Sequence, residues 1–286
     1  MLNDILINSM QQLGQNLIFV AGKGGVGKTT ISQAIALALS QNSKKTLWVE
    51  IENPLKPPGD KKQLSTTLWH LNCEATQAFE EYIQLKIPKL FKLFINNKLI
   101  RSLFMVAPGI HDLFLLGKIW FERNHFDHVV IDLPSTGHGL SLFQGTYNFS
   151  ELFRTGPTHN DALEMLKTFH DPIKTTFLIV SLPEEMALQE SLELKDYLLK
   201  LFPKNRPKFL VNKVFPKSTE RTELPPPSAL DYVSKRNILE ANNLLIWNNA
   251  QIQFEMLDFL IPDHQRSLIE YVAFENTKES NKSTIS

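Results

Sequence analysis

The chain lacks several features that would mark whole classes of protein. Its 286 residues contain one cysteine, Cys73, which excludes an internal disulfide and a Cys-x-x-Cys zinc clasp within the chain. Lys+Arg and Asp+Glu balance at 30 each, so composition does not favour nucleic acid or an anionic membrane as a partner. No apolar run approaches the roughly 20 residues of a membrane-spanning helix, and the stretch from Met1 to Gln15 has no basic cluster. We therefore expect a cytoplasmic, soluble protein with no signal peptide and no integral membrane segment.

Apolar runs of strand length alternate with helical patterns, which is typical of a parallel sheet covered by helices on both faces. We predict a three-layer α/β fold in a single domain over residues 1–274, with helical elaboration at about 61–123. The polar tail at 275–286 is predicted to be disordered. The predicted strands are Leu17–Ala21, Thr46–Ile51, His128–Asp132, Thr176–Ser181, Phe209–Asn212 and Asp258–Ile261. Helices are predicted to begin near Lys28, Glu74, Pro157 and Pro183, with another over Leu113–Phe121 and an exposed connector over Lys217–Ser228.

The strongest motif runs from Gly22 to Thr30 and consists of a glycine, four residues and Gly-Lys-Thr, between a predicted strand and a predicted helix. Glycines allow the backbone N–H groups to surround an anion, and the following helix points its positive end at the same place. In this pattern Lys28 reaches the β- and γ-phosphates and the Thr29 hydroxyl binds magnesium. The predicted nucleotide-binding residues are Gly22, Lys23, Gly24, Gly25, Val26, Gly27, Lys28, Thr29 and Thr30.

A second candidate lies at the end of the buried strand His128–Asp132. In P-loop ATPases a carboxylate here sits beside magnesium, so Asp132 is predicted to hold the metal ion, through water. The structural alternative is that Asp132 only caps a helix at the end of the strand.

The extra lysine directly after the first glycine, Lys23, resembles the deviant Walker A class of P-loop ATPases. This class includes the Min/Par partition ATPases, nitrogenase iron protein, and the arsenical-pump and tail-anchored-protein-targeting ATPases. The resemblance implies that two subunits meet face to face across their nucleotides and that Lys23 reaches the partner's phosphate site. A cation supplied in trans offsets charge on the transferring phosphoryl group, as an arginine finger does. The alternative is a solvated loop lysine.

The residues after Asp132 narrow the resemblance to one family within this class. Thr136-Gly137-His138 matches the end of the switch II sequence Asp-Thr-Ala-Pro-Thr-Gly-His of the arsenical-pump/tail-anchored-protein-targeting family. The resemblance implies that the Gly137 backbone contacts the γ-phosphate and moves when that phosphate leaves. For His138, a switch role and ordinary interface packing are both open. The similarity extends from Leu17 to about Arg266, and it implies adenine contacts at Asn212 and Pro262 and the use of ATP or ADP with Mg²⁺.

Several positions depart from the family pattern. Where the family has an aspartate that positions the attacking water, this chain has Glu52 followed by Asn53-Pro54. Because a misplacement of about 1 Å can cost on the order of a hundredfold in rate, we expect slow hydrolysis. Glu50 is expected to point to the same side of the strand, so either carboxylate is a candidate. The zinc clasp and arsenite-binding cysteines are missing, so no zinc is expected.

These features predict an ATP-binding, slowly hydrolysing dimeric switch that couples nucleotide state to an unknown protein client. The predicted catalytic residues are Lys23, Lys28, Glu52 and Asp132, in a homodimer or in a heterodimer with a paralogous ATPase. One alternative is a hydrolysis-poor, nucleotide-gated scaffold or targeting subunit. Another is a Min/Par-type positioning ATPase, although neither a membrane-seeking tail nor a basic DNA face is evident. The apolar segment between Lys89 and Val106 is interpreted as core, with a surface for a partner helix as the alternative.

Overall fold

The computed structural model describes residues 13–41, 43–57, 59, 61–86, 109–152, 157–215 and 227–258. Eight strands in these ranges form one sheet, which is parallel except where β3 pairs with β4. Its strand order is β3-β4-β2-β5-β1-β6-β7-β8, with bounds β1 Leu17–Ala21, β2 Thr46–Ile51, β3 Lys62–Gln63, β4 Leu68–Cys73, β5 His128–Asp132, β6 Thr175–Ser181, β7 Lys208–Val214 and β8 Glu255–Asp258.

Seven helices accompany the sheet in the described part of the chain. They are α1 Lys28–Gln41, α2 Ala75–Lys86, α3 Ile110–Glu122, α4 Thr136–Leu152, α5 Pro157–His170, α6 Glu185–Leu201 and α7 Pro227–Asn249. The predicted α/β class, a mostly parallel sheet flanked by helices, is therefore confirmed. None of these helices is long and apolar enough to span a bilayer.

The strands predicted for the centre of the sheet have the observed bounds, because each is a short run that is buried on both faces. The last prediction was displaced: β8 begins at Glu255 and ends at Asp258, and 259–261 lie outside the described residues. β4 was missed, because its sequence Leu-Trp-His-Leu-Asn-Cys mixes polar with apolar side chains. The segment predicted as helical elaboration therefore also contains β3 and β4.

α1, α2 and α5 begin at or next to their predicted starts. α3 begins at Ile110, three residues before the predicted Leu113, and α4 was not predicted. α6 begins at Glu185, two residues after Pro183. α7 begins at Pro227, inside the predicted connector, since proline is well tolerated in a first helical turn. The segment from Lys89 to Val106 and the polar tail lie outside the described residues.

The two faces of the sheet are covered unequally. On one face α1 packs its buried Ile31, Ala34 and Ile35 against Ile18 and Val20 of β1. The other six described helices contribute buried residues to the core on the opposite face. The centre of that core is an aromatic cluster with ring centroids 5.1–6.2 Å apart, formed by Phe19, Phe143, Phe169, Phe177 and Phe202.

This cluster anchors α4, the helix after Asp132, to the centre of the sheet through the fully buried Phe143. We predict that Phe143→Ala lowers the free energy of unfolding by about 3–5 kcal/mol, because it removes a large buried ring and leaves a cavity. Urea unfolding followed by circular dichroism measures the change. Tyr232→Ala on α7, where the tyrosine is 62% exposed, is the control and is expected to change stability by less than about 1 kcal/mol. Equal effects of the two substitutions would contradict the assignment of Phe143 to the core.

Candidate nucleotide-binding site

The glycine-rich loop lies at the carboxyl end of β1, near the middle of the sheet. β1 is paired in parallel with β5 on one side and β6 on the other. Residues 22–27 leave this strand and lead directly into α1, which begins at Lys28. The carboxyl edge of an open parallel sheet is where ligands bind in α/β proteins, and here a helix N-terminus opens onto it.

Two glycines of the loop have contacts that exclude a side chain. Gly22 has φ +148°, and a Cβ built on it would overlap the main-chain oxygen of Val180 on β6. Gly27 has φ +94°, and its Cβ would lie 2.5 Å from Asn212 Nδ2. The loop is therefore wedged between α1 and the carboxyl ends of two neighbouring strands, β6 and β7.

The middle of the loop is open by contrast. A Cβ on Gly25 would meet no atom within 4 Å, and one on Gly24 would meet only Ser135 Cβ, at 4.0 Å. Lys28 Nζ donates to Lys23 O across the loop, at 2.9 Å. Burial lowers the pKa of Lys28, although the nearby Asp132 carboxylate opposes the shift. An open run of glycine amides, a helix N-terminus and a desolvated lysine together fit a phosphate group.

Asp132 lies beside this loop because of the strand register. It is opposite Val20 of β1 and opposite Glu50 of β2. Thr29 Oγ1 donates to Asp132 Oδ2 at 2.5 Å, whereas the buried Oδ1 has no hydrogen-bond partner. Burial raises the pKa of Asp132 to about 6, against the opposing effect of the Thr29 hydrogen bond.

A hydroxyl and a carboxylate with one unpaired oxygen are the ligand types that Mg²⁺ prefers. The predicted magnesium residues, Thr29 and Asp132, thus fit the ion chemically. Within the described ranges no group of three or more His, Cys, Asp or Glu side chains could hold a metal ion. Cys73 is buried in the core, and burial raises its thiol pKa to about 12.

Asn212 on β7 contacts the loop from the other side. Its Nδ2 donates to Val26 O at 2.8 Å, and its Oδ1 accepts from Lys213 N at 2.9 Å. The buried amide thus braces the phosphate loop, a role that the sequence did not reveal, and its adenine contact stays a prediction. Gly137 lies in the first turn of α4, where it is exposed, while the His138 side chain and Pro262 lie outside the described residues.

Lys23, the extra lysine of the loop, extends away from the glycine cradle. Its Nζ makes an ion pair with Glu190 Oε1 on α6, at 2.6 Å. Both side chains are partly exposed, at 45% and 30%. Lys23 is therefore neither a free loop lysine nor directed at its own phosphate site.

Glu50 is almost completely buried and fully paired. Its Oε2 accepts from His70 Nε2 at 2.6 Å and from the Lys56 ammonium, and its Oε1 accepts from Asn53 Nδ2 at 2.8 Å. These donors outweigh the effect of burial and lower the pKa of Glu50 to about 2. Asn72 of β4 also holds the loop, donating to the main-chain oxygens of Asn53 and Lys56.

Glu52 lies on the opposite side, so the prediction that both carboxylates share one side of the strand was wrong. β2 ends at Ile51, and Glu52 has the left-handed φ of +48°, which breaks the alternation of side chains. Its Oε1 pairs with His111 Nε2 of α3 at 2.9 Å and accepts weakly from Ala75 N at 3.4 Å. Hydrogen bonds to Asp112 and then to Glu52 raise the pKa of His111 to about 9.

Five residues were not predicted as partners of these groups: Lys56, His70, Asn72, His111 and Glu190. An alternating reading of 68–73 as a strand would have placed His70 and Asn72 on one face. Glu190 belongs to the segment Ser181–Glu190, which resembles the strand-to-helix segment of the family, but its pairing with Lys23 was not predicted. His111 is far from the motifs along the chain, and no local pattern marks it.

The sheet, the loop and the paired Thr29 and Asp132 define a P-loop type of nucleotide-binding fold. The chain matches the model of the anion-transporting ATPase family over residues 15–55 and 144–231. These segments include the phosphate loop, Glu52 and Asn212, whereas Asp132 lies between them. The match confirms the resemblance to the arsenical-pump-like ATPases.

Individual relatives agree with the family match. ATPase BagA of Mycobacterium tuberculosis is 30% identical, over 63% of this chain and 60% of its own length. The protein named "Putative arsenical pump-driving ATPase 2" of Aquifex aeolicus is 26% identical, over 93% of this chain and 98% of its own. The ATPase ASNA1 homolog of Plasmodium chabaudi chabaudi is 26% identical, over 65% and 59%. The chain thus spans about 60% of the length of the mycobacterial relative.

The clash at Gly22 allows a direct test of the cradle. We predict that Gly22→Ala weakens ATP binding by about tenfold or more, because the new methyl overlaps a strand carbonyl and the backbone φ is unsuited to alanine. Isothermal titration calorimetry with Mg·ATP measures the effect. Gly117→Ala in the middle of α3, where a Cβ meets nothing within 4 Å, is the matched control and should retain binding. Unchanged affinity in Gly22→Ala would contradict the loop geometry.

The Glu52–His111 pair predicts a pH effect. A histidine pKa raised by folding stabilises the folded state below about 6.5 and loses that stabilisation as pH rises through about 9. Glu52→Gln should therefore lower the His111 pKa by about one unit or more, since it removes a neighbouring negative charge. NMR titration of the imidazole measures the pKa, with Glu185→Gln, at an exposed position in the first turn of α6, as the control. An unchanged His111 pKa in Glu52→Gln would show that the pair does not form in solution.

Proposed function

We propose that this protein binds Mg·ATP in the loop between β1 and α1 and hydrolyses it slowly as a dimeric, cytoplasmic switch built on a single domain. The observation that carries the proposal is the 2.5 Å contact of Thr29 with Asp132, whose other carboxylate oxygen is buried and unpaired beside an open glycine loop. A buried acceptor without a partner is costly unless a ligand satisfies it. A magnesium ion on the nucleotide phosphates is such a ligand.

The residues of the candidate site have distinct roles in this proposed function. Lys28 exchanges its bond to Lys23 O for the β- and γ-phosphates, whose negative charge opposes the lowering of its pKa by burial. Thr29 and Asp132 hold the magnesium ion, which when bound neutralises charge on the phosphates. The Gly137 backbone, at the exposed start of α4, contacts the γ-phosphate, while Asn212 and Pro262 flank the adenine.

Slow hydrolysis follows from the state of the two candidate carboxylates. Glu50 accepts from three side chains and has a pKa of about 2, so it is a weak base. Glu52 is held by His111 on the other side of the strand. Of the two, Glu52 occupies the position of the family's water-positioning aspartate, and we assign it that role after a rearrangement of its loop.

Dimerisation is proposed from the position of Lys23. The lysine pairs with Glu190 at the protein surface, so it is available to a second subunit once that ion pair opens. An exposed pair of this kind contributes about 1 kcal/mol or less, which a partner's phosphates readily exceed. The second subunit is a copy of this chain or a paralogue, and the assembly couples nucleotide state to a protein client.

The engaged carboxylates also favour a second candidate function, a nucleotide-gated scaffold or targeting subunit without meaningful turnover. Phosphate release at saturating ATP separates the two functions. A release rate equal to that of Lys28→Ala would support the scaffold and remove the ATPase activity from the proposal.

The two loop lysines are predicted to have separable roles. Lys28→Ala should weaken Mg·ATP binding by about tenfold or more, because it removes a charge-assisted contact to phosphate. Lys23→Ala should leave monomer binding nearly unchanged but reduce ATP-dependent dimerisation and phosphate release. Calorimetry, analytical ultracentrifugation and a phosphate-release assay measure the three properties.

Lys44→Ala, at an exposed position beyond α1, is the matched control and should resemble the wild type in all three assays. Retention of full dimerisation and turnover by Lys23→Ala would contradict a role in trans. Loss of binding in Lys23→Ala to the same extent as in Lys28→Ala would instead place both lysines at their own subunit's phosphates.

A further inference from the structure

We infer that His111 is a positioning residue that holds Glu52 out of the nucleotide site, so that the ion pair between them restrains turnover. The inference rests on the proposed function, because it assigns a task to a residue that acts through the proposed water-positioning carboxylate. His111 lies outside every motif of the phosphate site. It belongs to α3, on the face of the sheet opposite α1.

The backbone conformation of Glu52 sets the direction of its side chain. Directly after β2 ends at Ile51, φ is +48° at Glu52, a conformation that non-glycine residues adopt rarely and at some cost. The carboxylate then points to the α3 side, whereas Glu50, two residues earlier, lies on the side of Asn53 and Lys56. A strained conformation persists only when contacts support it, and the 2.9 Å pair with His111 is one such contact, beside the 3.4 Å hydrogen bond from Ala75 N.

His111, the other member of the ion pair, belongs to a helix whose first turn is packed closely against α4. α3 begins after Gly109, which has φ +79° and approaches Gly145 of α4 so closely that a Cβ would lie 2.6 Å from its carbonyl oxygen. A Cβ on Gly145 would in turn lie 2.5 Å from Asp112 Oδ2. The first turn of α3 is therefore wedged against α4, so release of the pair must come from movement of the loop that carries Glu52.

The charges around His111 keep the pair formed at neutral pH. Two carboxylates contact the imidazole: Glu52 from the loop, 2.9 Å from Nε2, and Asp112 from its own helix, 3.6 Å from Nδ1. These two negative charges favour the imidazolium form. Because the two partners are 35% and 31% exposed, the pair is weak enough for nucleotide-driven movement to break.

The decisive experiment measures phosphate release in variants of His111 at saturating and limiting ATP. His111→Gln should raise kcat about two- to fivefold, the range that a partly exposed ion pair supports, while KM for ATP stays unchanged. His111→Asn, a second variant, should behave in the same way. His125→Gln is the matched control: it lies three residues beyond the other end of α3, where its Nδ1 is 3.7 Å from Glu122 Oε2, and it should leave kcat unchanged.

The inference also requires that the increase in kcat depends on the Glu52 carboxylate. The double variant His111→Gln/Glu52→Gln should show no gain over Glu52→Gln alone, because the released side chain can no longer act. A gain that survives in the double variant would overturn the inference, as would a kcat of His111→Gln and His111→Asn equal to or below that of the wild type.

These failures are distinguishable from failure of the proposed function. If the wild type releases phosphate above the Lys28→Ala baseline and the His111 variants do not exceed it, only the restraint is overturned. If the wild type and both His111 variants stay at the Lys28→Ala baseline while calorimetry detects ATP binding, the protein binds ATP without hydrolysing it. Both the proposed hydrolysis and the proposed restraint are then overturned.

Discussion

The pairing of β1 with a parallel strand on each side is the constraint on which the candidate site depends. Because β5 and β6 both run in register beside β1, their carboxyl ends meet at the glycine loop. This places Asp132 next to Thr29 and the Val180 carbonyl against Gly22. A shift of one residue in either pairing would move these groups to the other face and remove the site.

The neighbouring carboxylates at this edge of the sheet differ in how they are satisfied. Glu50 and Asp132 are opposite each other in the strand register, yet Glu50 is surrounded by donors and Asp132 has a bare oxygen. Glu50 therefore has a structural role, because its hydrogen bonds hold the loop after β2 in place. Asp132 has unused coordination capacity next to a phosphate cradle, which is the property expected of a metal-holding residue.

The contacts of Glu52 and Lys23 connect the loops of this site to the helices around it. Each side chain is held by a residue of a different helix, His111 of α3 and Glu190 of α6. Both pairs are partly exposed and consequently modest in strength. Little free energy is therefore needed to break either pair, which is a condition of the movement proposed for these loops.

The strands at the centre of the sheet, the phosphate loop and the position of Asp132 at a strand end could all be predicted from the sequence. Their signals are local: an apolar run, a glycine spacing and a charge directly after a buried strand. β4 was not predicted as a strand, because its sequence mixes polar with apolar side chains. The partners of those polar side chains lie elsewhere in the chain. The direction of Glu52 and the contacts of Glu50, Lys23 and Asn212 could not be predicted, because they depend on folding. A left-handed backbone residue turns Glu52, and residues distant along the chain become the partners of the other three.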